Sequence, residues 1–170
     1  MENTSSDETQ PITYDNIVYI EFFNKKDFPT GEWSAEPDFV QWSAYGLQCL
    51  AIRDMKLGSW RGFVGLEKSH KGYSQSHAEL LESGWMPNLE VHGTLTFAGK
   101  LPAKYKELNK STWWVGFECS HGTDYLPLVK VDQSSPFYTS LRSQQVYKNI
   151  HFVRKQTNQL AKQLLRINRK

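Results

Sequence analysis

The sequence predicts an α+β fold, an antiparallel sheet of four to five strands with a C-terminal helix packed on one face. Three observations carry this expectation. LQCLAIRDM and WRGFVGLE, joined by the turn KLGS, have the β-branched and aromatic content of an antiparallel hairpin. Two further strands follow, LEVHGTLTF (Leu89–Phe97) and STWWVGFECSH (Ser111–His121). In the tail, Val146, Ile150, Val153, Thr157, Leu160 and Leu164 recur at spacings of three and four, which draws one stripe along a helix.

Residues 1–12 are polar, closed by Pro11, and expected to be disordered. NIVYIEFF (Asn16–Phe23) has strand composition. Pro29, Gly31 and Pro37 then break up the chain, and a short helix is expected around Pro37–Tyr45, with proline in its first turn. Residues 13–46 therefore read as an N-terminal elaboration on a single domain, 47–166, with a basic tail, 167–170. Inside the domain, residues 67–88 are polar with a short helix, SHAELLESG, stopped by Gly84 and Pro87. Asn149 is the expected N-cap of the terminal helix. Lys162, Arg166, Arg169 and Lys170 complement the negative end of its dipole.

At 170 residues the chain fits one domain with a sizeable core, and 39% hydrophobic with 22% charged residues is ordinary globular composition. A net charge of +2 is too weak to imply nucleic-acid or anionic-membrane binding. The six tryptophans suit either a core rich in large rings or a recognition surface. Cys49 and Cys119 are the only cysteines, without a CxxC pair, so free thiols in a reducing cytoplasm are expected. The acidic start MENTSSDETQ is unlike a signal peptide, and no apolar run reaches the roughly 18–20 residues that span a bilayer. The expected location is therefore cytoplasmic.

The residues with chemical potential gather on the last predicted hairpin: His92, Cys119, His121 and Asp124. Strand alternation puts Val91, Gly93, Leu95 and Phe97 on one face, and His92, Thr94 and Thr96 on the other. On the partner strand Trp113, Val115, Phe117, Cys119 and His121 share a face, while Trp114, Gly116 and Glu118 share the opposite one. An unbroken pleat lets only one of Glu118 and His121 join His92, and a bulge near Gly116 or Cys119 would re-aim the strand end. Four readings compete. The polar ladder could face solvent, with Cys119 a small buried hydrophobe. Cys119, His121, Asp124 and His92 are zinc-ligand types, but their spacing matches no zinc signature and no metal is assigned. His92 and His121 could carry protons with Asp124 orienting an imidazole, and Cys119 could be a nucleophile only with a lowered pKa. Finally, His92-Gly93-Thr94 and His121-Gly122-Thr123 resemble the paired H-x-T motifs of two-histidine phosphoesterases, though their separation is too short for that fold's repeated half. The first tripeptide also resembles the nicotinamide-binding strand of ADP-ribosyltransferases, without the downstream residues.

The order GFVGLEKSHKGYS, EVHGTLTFAG, WWVGFECSHGTD and a helix with QLAKQL resembles, across 47–166, a family of uncharacterised phage and prophage proteins. That family's pattern has G-Y-V-G with a following His, V-H-G-G-[LI]-T-[YF], W-W-F-G-F-D-C-A-H-A-G-D and L-A-x-Q-L. Thr94 and Thr123 stand where it has Gly, so both H-x-T coincidences look incidental; Glu118 replaces its Asp and keeps the charge. The resemblance implies a shared site on the hairpin and a task useful to a virus, such as nucleotide handling. The expectation is a phage-type accessory protein in the host cytoplasm. Its catalytic residues would be His92, His121 and Asp124, in a pocket lined by His70, Thr96, Trp114 and Glu118. The pocket would bind, and in the stronger form hydrolyse, a small nucleotide-like ligand. His92 and His121 would serve that ligand rather than stability. The alternatives are a protein-interaction module built on exposed tryptophans and a zinc-binding hydrolase. No cofactor is assigned, and a homo-oligomer stays open.

Overall fold

A computed structural model describes residues 17–21 and 24–168. Six strands form one antiparallel sheet: β1 (Val18–Ile20), β2 (Phe39–Ala44), β3 (Leu47–Arg53), β4 (Trp60–Leu66), β5 (Phe97–Gly99) and β6 (Trp113–Glu118). Their order across the sheet is β1-β2-β3-β4-β6-β5. The helices are α1 (His77–Glu82), α2 (Pro136–Gln144) and α3 (Ile150–Asn168). The disorder expected for residues 1–12 lies outside the described residues, as do both ends of the strand expected over Asn16–Phe23. No helix among the described residues is long and apolar enough to cross a membrane.

The short helix expected at Pro37–Tyr45 is instead strand β2, which raises the count to six. FVQWSA buries every alternate residue, the period of a strand, and pairs with β1 on one side and β3 on the other. It turns into β3 through Tyr45-Gly46, with φ of 53° and 76°. Positive φ at both positions is the geometry of the two-residue turn whose twist matches antiparallel strands. The β3–β4 hairpin expected from KLGS is present, its loop held by Asp54, whose carboxylate accepts from the backbone N–H of Lys56 and Leu57.

Alternation splits the sheet's side chains between two apolar layers. Val40, Trp42, Cys49, Val64, Val115 and Phe117 face α3, which packs on β3 and β4. Phe39, Leu50, Ile52, Phe63 and Trp114 face the other way and are covered by Leu101, Tyr105 and Leu108 from the β5–β6 connection. Both faces are thus covered, one by α3 and one by 3-10 turns between Ala103 and Asn109.

Helix α3 follows the expected stripe from Ile150 onward, with Ile150, Val153, Thr157, Leu160 and Leu164 all buried. Its N-cap is the expected one: Asn149 Oδ1 accepts from the Phe152 N–H at 3.0 Å. Val146 departs from the expectation. It precedes the helix, is 59% exposed, and makes a parallel bridge with Asp124 instead. The helix seats closely because β4 carries Gly62 opposite Thr157, where a Cβ would lie 2.5 Å from Thr157 Oγ1. Trp42 Nε1 donates to Asn158 Oδ1 at 2.7 Å and keys the helix to β2.

A buried ionic network fixes where α3 begins. The Arg53 guanidinium donates to Asp38 Oδ1, Gly58 O, Tyr147 Oη, Glu36 Oε2 and Pro37 O at 2.8–3.1 Å. Glu36 Oε1 accepts from the Ile150 N–H at 2.7 Å, and its Oε2 from Tyr147 Oη at 2.6 Å and Trp60 Nε1 at 3.1 Å. A carboxylate at the positive end of a helix is favourable in itself.

Leu160 is fully buried in the α3 layer. Leu160→Ala is expected to cost about 2–5 kcal/mol through lost burial and the cavity left behind. Chemical denaturation with an unchanged midpoint would mean that α3 is not docked as described.

Candidate functional site

The segment Leu89–Phe97 does not form the single strand expected of it; only its last residue enters β5. Residues 89–92 run along α3, and side chains of the helix take over the work of a neighbouring strand. Gln163 Oε1 accepts from the Glu90 N–H at 2.7 Å while its Nε2 donates to Glu90 O at 2.8 Å. Gln156 Oε1 accepts from the His92 N–H at 2.8 Å. Gly93 then bends the chain with φ of +66°, a conformation open to glycine but strained for other residues. Pairing with β6 begins only at Thr96, whose N–H donates to Gly116 O at 2.9 Å. The bend also separates Leu95, in the α3 layer, from Phe97, in the opposite layer, which strict alternation had placed together.

Strand β6 likewise ends before its expected limit. After Cys119 the chain makes a turn in which the Asp124 N–H donates to His121 O at 2.8 Å. The Asp124 carboxylate folds back, and Oδ2 accepts from the His121 N–H at 3.0 Å. This turn brings His121 to His92, their ring centroids 5.2 Å apart. Glu118 stays on the far face beside Arg61, with its Oε2 4.0 Å from Arg61 Nε.

At the centre His92 Nε2 donates to Asp124, 2.8 Å from Oδ2 and 3.1 Å from Oδ1. Asp124 is fully buried, while the His92 side chain keeps 17% of its surface exposed. His121 Nε2 is buried and has no hydrogen-bond partner. Such an atom costs about 1–3 kcal/mol. Lys148 Nζ lies 3.7 Å from Asp124 Oδ1, and the Phe152 ring meets His92 edge-on at 5.2 Å. Gly93 is required here for a second reason: a Cβ on it would sit 2.1 Å from His121 Nε2.

The fold therefore gathers His92, His121 and Asp124 and leaves four expected pocket residues elsewhere. Trp114 is fully buried in the second layer, its Nε1 donating to Leu108 O. Thr96 is exposed on the approach to β5, and Glu118 is across the sheet. His70 is buried and ties the loop after β4 to the end of α3, with Nε2 donating to Leu164 O and Nδ1 accepting from the Gly72 N–H, both at 3.0 Å. Burial, chiefly, pushes the His70 pKa below its ordinary value, with the Lys71 charge adding to the shift and the Leu164 carbonyl opposing it. Cys119 abuts the centre but is sealed. Burial, reinforced by the Asp124 charge, pushes its thiol up to about 12, which removes it as a nucleophile at neutral pH.

None of the six tryptophans is exposed, so they form no contact patch; among the described residues the exposed large rings are Tyr19 of β1 and Phe137 and Tyr138 of α2. That helix escaped the sequence reading although Ser135-Pro136 is a start signal. Lys148, Phe152 and Gln156 also went unmarked. A lysine just ahead of a helix N-terminus opposes the dipole, which could have prompted a search for its acidic partner. Comparison with protein-family models, with characterised proteins and with solved structures finds no match for this chain.

Two measurements test this description. Because the folded pKa of His70 lies below the unfolded value of 6.5, its contribution to stability is complete above about pH 6.5 and is lost as pH falls through the folded pKa. The wild-type Tm is expected to fall more steeply on acidification than that of His70→Gln; parallel curves would remove the buried neutral imidazole. Cys49 and Cys119 are free and buried, each with its thiol pushed up to about 12. Unfolded, unreduced protein should titrate two thiols and native protein almost none at neutral pH. Prompt labelling of the native state would contradict the burial of both.

Proposed function

We propose that the protein binds a small anionic, nucleotide-like ligand at the His92–His121–Asp124 centre and acts on it by acid–base chemistry. The observation that carries this is the pairing of a fully buried carboxylate with one half-buried imidazole, beside a second imidazole whose Nε2 has no partner. Asp124 holds the proton of His92 on Nε2, so Nδ1 carries the lone pair able to accept a proton. His121 supplies a second proton carrier within reach of the same ligand. Lys148 adds a cation beside Asp124, and a cation together with imidazole N–H donors favours a phosphate over a neutral ligand. The similarity of EVHGTLTF and WWVGFECSHGTD to phage and prophage motifs accords with nucleotide handling. It is support by analogy of setting.

The two histidines differ in what else they do. His92 is the donor to a buried carboxylate, so His92→Ala should cost about 1–3 kcal/mol in addition to function. His121 loses no side-chain hydrogen bond on truncation, and His121→Ala should stay within about 1 kcal/mol of wild type. Calorimetry against nucleoside mono- and diphosphates, cyclic nucleotides and nucleotide sugars is expected to find saturable binding by one of these classes. His121→Ala should weaken it at least about tenfold, roughly 1.4 kcal/mol. A wild-type protein that binds none of them, or a His121→Ala variant that binds equally well, would refute the proposal.

A further inference from the structure

Three potential metal donors, scattered in the sequence, converge at the centre. One ring nitrogen of His92, one of His121 and a carboxylate oxygen of Asp124 lie within 4.8 Å of one another. Two imidazoles and a carboxylate are ligand types that hold Zn²⁺, Co²⁺, Fe²⁺ and Mn²⁺. Two further observations point the same way. His121 Nε2 is out of water with no hydrogen-bond partner. The Asp124 carboxylate is oriented by the His121 backbone N–H at 3.0 Å, the sort of outer contact that aims a ligand at an ion.

We infer that His92, His121 and Asp124 bind one divalent transition-metal ion. This rests on the reading of the same three side chains as the ligand-binding centre and gives that centre a cofactor. With the ion bound both imidazoles are ligands, and the acid–base role described for them belongs to the metal-free protein. The ion replaces the proton that His92 Nε2 donates to Asp124; that proton moves to Nδ1 of the same neutral ring or to solvent. Acidification therefore weakens binding, since both imidazoles must be unprotonated to ligate. Three protein ligands leave a tetrahedral ion one position for water or a ligand oxygen. Lys148 opposes the ion, with its ammonium 3.7 Å from Asp124 Oδ1. With the ion bound, the centre is positive even before Lys148 is counted, which suits a phosphate oxygen at the open position.

The experiment strips purified full-length protein with chelator and titrates it with Co²⁺, then Zn²⁺, following visible d–d bands, bound metal per chain and Tm. The expected result is one Co²⁺ per chain, displaced by Zn²⁺, with a raised Tm. His121→Ala should lose at least about tenfold in affinity. His151→Ala, on the exposed side of α3, should bind as wild type. Lys148→Met should bind more tightly, because it removes the opposing charge. Folded wild-type protein that takes up no stoichiometric Co²⁺ or Zn²⁺, or a folded His121→Ala variant that binds as well, overturns the inference. Repeating the nucleotide calorimetry in chelator separates the two readings. Nucleotide binding without metal leaves the ligand proposal standing and removes the ion, and metal binding without any nucleotide does the reverse.

Discussion

The architecture depends on the buried contact between Arg53 and Glu36. Burying a guanidinium and a carboxylate is costly unless their hydrogen-bonding capacity is met, and breaking such a pair costs about 3–5 kcal/mol. Here the five donations from Arg53 end on three separate parts of the chain: the approach to β2 at Glu36, Pro37 and Asp38, the β3–β4 loop at Gly58, and Tyr147. Glu36 closes the circuit by accepting from the first turn of α3 and from Trp60 at the start of β4. The network thus sets the helix against the sheet at one end, and His70 holds it at the other through Leu164. Between these two points lie Lys148, Phe152, Gln156 and Gln163, the residues that shape the surroundings of His92.

This arrangement explains why a segment with strand composition is not a strand. The Glu90 and His92 N–H groups need acceptors, and in a sheet these would come from a neighbouring backbone. Gln163 and Gln156 lie on the same side of α3, two turns apart, and supply them from side chains instead. Freed from the ladder, the chain can bend at Gly93, and the bend lets the His121 ring approach where any Cβ would intrude. His92 is then aimed at Asp124 rather than standing in a row with Thr94 and Thr96.

Local patterns made part of this legible in the sequence. The stripe from Ile150 to Leu164 and the β3–β4 hairpin follow from periodicity and turn residues alone. The gathering of His92, His121 and Asp124 was expected from a paired hairpin, but it arises from the bend at Gly93 and the turn after Cys119. What escaped depended on contacts distant in sequence. Pro37 suggested a helix start, but Phe39–Ala44 is flanked by two strands, and tertiary pairing decided its form. Trp114 offered a ring that composition alone could not assign to core or pocket; the β5–β6 connection covers it. His70 lay in a polar loop, and nothing local signals that its acceptor is a carbonyl 94 residues away. Lys148 belongs to the centre only because the Asp124–Val146 bridge brings the start of α3 beside the turn after β6.

The centre is held by the same bonds that would have to serve its chemistry, which divides its residues by role. Asp124 is fully buried and receives the His121 N–H, the His92 side chain and the approach of Lys148, so it orients the others and is the least free to move. His92 is shared between fold and site, through one backbone bond to Gln156 and one ring bond to Asp124. His121 alone carries a ring nitrogen that the fold leaves unpaired at an energetic cost. A stably packed protein can correct such a defect by substitution when nothing depends on it, because Leu would fill similar space without an orphaned polar atom. The turn that places His121, the glycine that makes room for it and the carboxylate that aligns beneath it all accommodate that single atom. A ligand or ion of the kind proposed would therefore meet, at His121, a ring nitrogen that the packing around it leaves unpaired.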